Sequence, residues 1–239
     1  MKYDFKVEDF KQPPHPNDIK LNGSLVKLEP INIDMHAKDL YEAYSLDVDG
    51  EIWKYLPYGP FGNFEDFSCW LSEEIAKDEA TFFSIIRLND EKAVGIAAYL
   101  RINQTDGSIE VGHLNYSPLL QKTTMATEAM FLMMEWVFEN GYRRYEWKCN
   151  ALNIKSRKAA QRLGFSFEGI FRQSNIVKGR NRNTAWFSVI DSEWTLLKKQ
   201  FEMYLLDNNF DSENKQIQSL SGLTQPLLYK VDTLELSGI

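Results

Sequence analysis

The chain has 239 residues, 44% of them hydrophobic, and is long enough to bury a substantial core in one domain. Its 34 acidic and 27 basic residues give a formal net charge of -7, which argues against nucleic acid or an anionic membrane as the main partner. Two cysteines make neither a disulfide framework nor a zinc site, and no metal is implied. The N-terminus lacks the apolar core of a signal peptide and no apolar run reaches about 18 residues, so we expect a cytoplasmic protein.

Three parts are predicted along the chain. Residues 1–23 contain several prolines and many charges, which indicates an irregular N-terminal leader. Residues 24–206 form the predicted domain. The segment 207–239 is polar and predicts a mobile C-terminal tail, in which Leu227–Tyr229 is the candidate for docking back.

The domain is expected to open with one strand and two helices. Alternation of apolar and polar residues over Leu25–Glu29 predicts the strand, and Asp34 is placed to cap a helix that runs to about Ser45. Asn63 is placed to cap the second helix. Between the two helices, Glu51–Pro60 is rich in aromatic residues and turn formers.

The middle and the end of the domain alternate strands and helices. Antiparallel strands are predicted at Thr81–Leu88, Ala93–Ile102 and Ser108–Tyr116. A helix follows Pro118 and ends at Gly141, which stands where a left-handed residue is favoured. Next come a strand at Tyr142–Cys149, a helix at Ile154–Leu163 ended by Gly164, a hairpin of Phe165–Val177 with Asn183–Ile190, and a helix from about Ser192.

This order of elements predicts an α+β fold in which Ser108–Tyr116 and Tyr142–Cys149 are a parallel pair of strands. Where these strands diverge, the helix between them points its positive N-terminus at the gap. The helix is entered through Leu120–Ala126, whose free N–H groups would suit a diphosphate, with help from Lys122 and the threonine hydroxyls. An ordinary capped helix is the alternative, and an ATP site is disfavoured because the loop has no Gly-rich Lys-Ser/Thr signature.

Four segments of the sequence carry a family resemblance: IEVGH at 109–113, QKTTMATE at 121–128, NIKS at 153–156 with LGF at 163–165, and RNRNTAWFS at 180–188. In this order and spacing they resemble the Gcn5-related N-acetyltransferase (GNAT) superfamily, especially the branch that modifies ribosomal-protein N-termini. The last segment resembles a hairpin found in a subset of fungal and bacterial members. The resemblance covers about residues 24–200.

The resemblance implies a three-layer fold with a central mixed, mostly antiparallel sheet of about seven strands, split between strands four and five and flanked by helices. It implies an acyl-CoA-dependent N-acyltransferase that uses acetyl-CoA and a primary amine, of a protein N-terminus or a small molecule, by direct attack in a ternary complex. Thr124 stands where the family's loop has a glycine, which keeps open a non-catalytic acyl-CoA-binding module with a degenerate site. The sequence leaves open whether the protein is a monomer or a homodimer.

The resemblance also assigns candidate catalytic and cofactor-binding residues. Glu110 is the candidate general base, directly or through water, and an exposed strand carboxylate is the alternative. Ser156 is the candidate acid toward the sulfur, and a hydroxyl that satisfies a backbone N–H is the alternative. Ala160 stands where many relatives have a tyrosine. The cofactor-binding candidates are Gln121, Lys122, Thr123, Thr124, Met125, Ala126, Thr127, Asn153 and Ser156.

Candidates for acceptor binding come from two other segments. They are Trp53, Tyr55 and Tyr58 in the aromatic loop, and Arg180 and Arg182 near the hairpin tip, where Lys178 adds a further charge. The arginines would hold the carboxylate of an acidic acceptor, whereas solvated surface charge is the alternative. The aromatic residues alternatively pack for stability. His113 lies an odd number of residues from Glu110, so we expect it on the opposite face of the strand as a core histidine.

Overall fold

The computed structural model describes residues 6–213 and 215–234. Its strands form one sheet in the order β1-β2-β3-β4-β5-β6-β8-β7. The strands are β1 Leu21–Asn22, β2 Val26–Pro30, β3 Ala80–Arg87, β4 Lys92–Asn103, β5 Ser108–Tyr116, β6 Arg144–Asn150, β7 Ser166–Val177 and β8 Arg180–Ile190. The helices are α1 Ile33–Tyr44, α2 Phe64–Ala76, α3 Thr124–Glu139, α4 Ile154–Arg162, α5 Asp191–Leu205 and α6 Leu220–Thr224.

The α+β class and the mixed, mostly antiparallel sheet are confirmed, with one parallel pair, β5 and β6, among the described residues. The sheet has eight strands in the described chain rather than seven. The additional strand is β1, whose two residues pair with Leu28 and Lys27 of β2. The predicted irregular leader is therefore wrong for its last residues, because Leu21 and Asn22 extend the edge of the sheet.

Asparagine side chains cap the N-termini of α1 and α2. Asn63 caps α2 by accepting from the N–H of Asp66, as predicted. The predicted cap of α1 is wrong, because Asn32 rather than Asp34 accepts from the N–H of the third residue on. Asp34 instead lies in the first turn of α1, where its charge complements the helix dipole.

The sheet separates two apolar layers. On one face, α3, α4 and α5 pack against buried strand residues such as Tyr99, Val111 and Phe187. On the other face, α1 and α2 pack against Phe82 of β3 and Ile96 of β4. The result is the three-layer arrangement, and β5, β6 and β8 continue beyond the part of the sheet on which α1 and α2 pack.

The segment after residue 206 is packed against the domain, so the prediction of a mobile tail is wrong for its described part. Leu220 of α6 is fully buried, and Leu227 packs against the main core, as the docking candidate predicted. Asp232 is also buried and pairs with Arg157 of α4 at 2.6 Å. Within residues 6–213 and 215–234, every helix is too short or too polar to span a bilayer.

Candidate active site

The centre of the sheet opens where its parallel pair ends. β5 and β6 pair only from Ser108 with Arg144 to Val111 with Trp147, and beyond these residues the strands diverge. The predicted split between these two strands is therefore present. The backbone groups that face the gap are left without a neighbouring strand, so they are available to a ligand that contains amides.

A β-bulge shapes the β5 side of this gap. Gly112 pairs with Ala98 and Asn115 pairs with Ile96, so two residues of β5 lie opposite one residue of β4. His113 takes φ of 48° at this point. A bulge inverts the alternation of side chains, so His113 lies on the same face as Glu110. The prediction that the two residues face opposite sides is wrong, because it assumed a regular strand.

A cleft of about 670 Å³ follows the gap. Of the predicted residues, the structure brings Glu110, Ser156, Gln121, Asn153, Tyr55 and Arg182 together in its walls, with His113 added. Trp53 and Thr127 are instead buried, and Arg180 is exposed at the beginning of β8. The cleft lining does not include Lys122, Thr123, Thr124, Met125, Ala126 or Tyr58, and Met125 and Ala126 pack against the main core.

Glu110 lies between Ile109 and Val111, which are buried in the core, so its side chain points to the opposite face of the sheet. It is 3% exposed, and its carboxylate oxygens lie 2.7 Å from Arg101 Nη1 and 2.7 Å from Lys148 Nζ. The predicted alternative of an exposed strand carboxylate is therefore wrong. Two cations and the cleft surround this carboxylate.

Lys148 links Glu110 to the rest of β6 and β8. Its ammonium lies 2.7 Å from Glu146 and 3.8 Å from the ring centroid of Trp186. Its side chain is 10% exposed. The ring and the two carboxylates together fix the Lys148 ammonium beside Glu110.

The loop before α3 leads into a capped helix N-terminus. Thr123 caps the helix, and its hydroxyl oxygen accepts from the N–H of Ala126 at 3.2 Å. Lys122 takes φ of 60°, and the Gln121 side-chain amide donates to the carbonyl of Tyr116 at 2.7 Å. Thr124 is the first residue of the helix, where its N–H has no intrahelical acceptor.

Two residues at the end of the QKTTMATE segment have a structural role. The hydroxyl of Thr127 accepts from both terminal nitrogens of Arg162 at 3.1 Å, so its predicted contact with the cofactor is not supported. The Glu128 carboxylate accepts at 2.8 Å from the backbone N–H groups of residues 24–26. These three hydrogen bonds fix the chain where β2 begins. A Cβ on Gly23 would lie 2.5 Å from the Glu128 carboxyl carbon, so a larger residue would not fit at this position.

The beginning of α4 forms the β6 side of the cleft. The Asn153 side chain caps this helix by accepting from the N–H of Ser156 at 3.1 Å. The Ser156 hydroxyl oxygen instead accepts from Trp147 Nε1 at 3.0 Å. Burial raises the pKa of the neighbouring Cys149 thiol to about 11, partly offset by a hydrogen bond with Ser156, so this thiol is protonated at neutral pH.

The aromatic loop between α1 and α2 covers the cleft from above the sheet. The Tyr55 hydroxyl donates to the carbonyl of Leu152 at 3.2 Å, and the Tyr58 hydroxyl lies 2.9 Å from His113 Nδ1. Lys178 Nζ donates to the carbonyls of residues 53, 58 and 59 at 3.3, 3.3 and 3.0 Å. The loop is therefore tied on one side to the residues before α4 and on the other to the tip of the β7–β8 hairpin.

Sequence reasoning missed three polar residues of the site. Arg101 and Lys148 hold Glu110, and the signal for Lys148 was its position between two buried residues of β6. His113 was assigned to the core, and only the register shift around Gly112 shows that it faces the cleft. Burial lowers the pKa of His113 below its ordinary value of 6.5, so the imidazole is neutral at pH 7.

Comparison with known proteins identifies the family. The model of the acetyltransferase (GNAT) domain matches residues 26–166. A GCN5-related N-acetyltransferase of Brucella melitensis is 41% identical and superposes with a TM-score of 0.88 over 91% of this chain and 99% of its own. A GNAT-family protein of Chromobacterium violaceum is 36% identical, with a TM-score of 0.75 over 80% of this chain and 96% of its own.

Among curated proteins, the uncharacterised N-acetyltransferase YnaD of Bacillus subtilis is 25% identical over 67% of this chain and 93% of its own length. The family match spans more than half of the chain, and the chain therefore belongs to the GNAT acetyltransferase family. It is an N-acetyltransferase that uses acetyl-CoA as the acyl donor.

Proposed function

We propose that this N-acetyltransferase acetylates a primary amine, of a small molecule or a protein N-terminus, by direct attack in a ternary complex. The observation that carries the proposal is the buried carboxylate of Glu110 in the cleft where β5 and β6 diverge. The amine must lose a proton before it can attack the thioester, and Glu110 is the carboxylate beside the gap.

The residues around the gap fit acetyl-CoA. The free N–H groups at the beginning of α3, with Lys122 and Thr123, would hold the diphosphate, and the methyl-bearing Thr124 narrows the approach to it. The Asn153 side chain and the unpaired backbone of β5 would hold the pantetheine amides. When bound, acetyl-CoA supplies the activated thioester carbonyl.

Glu110 acts as the proton acceptor. Because each of its oxygens already faces a cation at 2.7 Å, we assign it to take the ammonium proton through a water molecule. The amine nitrogen then forms a bond to the acyl carbon while the carbon–sulfur bond breaks. His113, neutral and facing the same cleft, is a second candidate for the proton acceptor.

Ser156 passes a proton to the departing sulfur, and the second proton that the attacking nitrogen loses restores the Ser156 hydroxyl. Its oxygen accepts from Trp147, and its hydrogen, which the Cys149 thiol shares, would turn toward the leaving group. The Asn153 cap fixes the backbone of Ser156 at the beginning of α4. CoA with a free thiol and an N-acetylated amine are the products.

The test compares acetyl transfer by Glu110→Gln and by His113→Gln, with Glu139→Gln on the far end of α3 as the control. Glu110→Gln is expected to lower kcat by about 10²–10⁴-fold while calorimetric affinity for acetyl-CoA stays within about twofold. An unchanged kcat in Glu110→Gln together with a lowered kcat in His113→Gln would identify His113 as the general base. Acetyl-CoA binding by the wild type without transfer to any amine would support the alternative of a non-catalytic binding module.

The proposal also covers the binding partners of the protein and its cellular location. We assign acetyl-CoA and one amine acceptor as its partners in the cytoplasm, with neither nucleic acid nor membrane involved, in agreement with the net charge of -7. The protein would act as a monomer or a homodimer. A ribosomal-protein N-terminus is one acceptor within this proposal, supported by the sequence segments that resemble that branch.

A further inference from the structure

Six charged side chains on β4 to β7 form one continuous series of ion pairs. The pairs are Arg101–Glu110, Glu110–Lys148, Lys148–Glu146, Glu146–Arg144 and Arg144–Glu168, each at 2.6 or 2.7 Å. The series contains three cations and three carboxylates, so its charges cancel. Every carboxylate in it already contacts at least one cation within the protein.

Arg182 lies at the edge of this series and is not part of it. Among the described residues its guanidinium has no ion-pair partner, and its Nε is buried without a hydrogen bond. Burial lowers the pKa of Arg182, and the charge of Glu110, which is not in ion-pair contact, offsets only part of the lost hydration. A half-buried guanidinium of this kind has planar N–H donors that are available to a carboxylate of a ligand.

The position of Arg182 in the sheet directs it at the acceptor side of the cleft. Ala185 and Phe187 of β8 point into the core, so Arg182 and Trp186 point to the opposite face. Lys148 stacks on Trp186, so this is also the face of Glu110. The helix that would hold the diphosphate, α3, packs on the other face, so Arg182 is not placed to meet that anion.

The aromatic loop lines the same cleft as Arg182. Lys178, four residues before Arg182 in the same hairpin, ties the hairpin tip to the loop through three carbonyls. Tyr55 ties the same loop to Leu152 on the opposite wall. A compact acceptor fits this covered cleft better than a folded protein surface does.

We propose that Arg182 is the subsite for a carboxylate of the acceptor, and that the acceptor is a small primary amine of the amino-acid class. The planar guanidinium would bind the carboxylate through paired N–H groups and hold the amine toward Glu110. This inference rests on the proposed function, because it needs the amine to be the group that is acetylated. It names the substrate class of that same site.

The experiment measures acetyl transfer from acetyl-CoA to the twenty standard amino acids and to their C-terminal amides. The wild type is expected to prefer one or more acids over the matching amides through a lower KM. Arg182→Gln should raise KM for a preferred acid about 10- to 100-fold, leave its KM for the amide and for acetyl-CoA unchanged, and be partly rescued by Arg182→Lys. Arg172→Gln, an exposed arginine of β7, is the matched control and should behave as the wild type.

The outcomes separate this inference from the proposed function. The amides of aspartate and glutamate keep a side-chain carboxylate, so transfer to them that depends on Arg182 would assign the subsite to a side-chain carboxylate. Equal use of acids and amides by the wild type, or an equal effect of Arg182→Gln on both, would overturn the inference while the transferase stands. No transfer to any amino acid or amide would overturn this inference, and the proposed function would fall with it if peptides with a free N-terminal amine were not acetylated either.

Discussion

Replacing Asp232 with asparagine should destabilise the whole domain, although only seven residues of the sequence follow it. Its carboxylate accepts from Arg157 Nε at 2.7 Å and from Nη2 at 2.6 Å, and both side chains are 1% exposed. Arg157 makes one further hydrogen bond, to the carbonyl of Ala151. Without Asp232 the guanidinium would remain buried with no opposite charge.

Breaking a buried ion pair by removing one partner costs about 3–5 kcal/mol, because the remaining charge is uncompensated. For a chain of this size each kcal/mol lowers Tm by about 2–4 °C, so Asp232→Asn should lower it by roughly 6–20 °C. Thermal unfolding followed by circular dichroism measures this shift. Asp207→Asn, an exposed acid earlier in the same segment, is the control and should leave Tm unchanged.

The double replacement Arg157→Met with Asp232→Leu separates charge from packing. Removing both charges leaves no unpaired ion, so the double variant should be more stable than Asp232→Asn alone. A Tm of Asp232→Asn within about 1 °C of the control would refute the reasoning. It would mean that the last described residues do not dock on α4 in solution.

Three further outcomes are expected. Burial lowers the pKa of His113 below 6.5, so the unfolded chain binds the proton more readily and the free energy of unfolding should fall as pH drops below about 6.5. Urea unfolding at a series of pH values measures this slope. His113→Gln should flatten it, whereas replacement of the exposed His15 with glutamine should not. Lys178→Met removes three contacts with loop carbonyls and should speed hydrogen exchange in peptides from 51–60; unchanged exchange would contradict the tie. Glu128→Gln keeps one acceptor oxygen for three N–H groups and should cost about 1–3 kcal/mol of unfolding free energy, and an unaltered urea midpoint would be inconsistent with that role.

Most of the fold could be predicted from the sequence because its signals are local. Helical spacing of apolar residues gave α3, and a left-handed glycine follows it at Gly141, with φ of 87°. Gly164, with φ of 86°, ends α4 in the same way, and the turn at Lys178–Gly179 closes the hairpin. The short strand β1 was missed because two residues carry no periodicity.

The site was predicted only in part because its geometry depends on pairing between distant strands. The bulge that turns His113 into the cleft is defined by the register of β4 against β5. Arg101 and Lys148 reach Glu110 from two other strands, a meeting that no local spacing indicates. The docked segment after residue 206 was missed for the same reason, since Asp232 finds its partner 75 residues away.

The most direct test of the account is a calorimetric titration of the wild type and of Thr124→Gly with acetyl-CoA, with ATP as the control ligand at the same ionic strength. We expect one acetyl-CoA per chain with micromolar affinity, no binding of ATP, and affinity at least as high in Thr124→Gly, where the added methyl and hydroxyl no longer narrow the anion loop. Absence of acetyl-CoA binding in both proteins would contradict the assignment of the gap between β5 and β6 as the acyl-donor site.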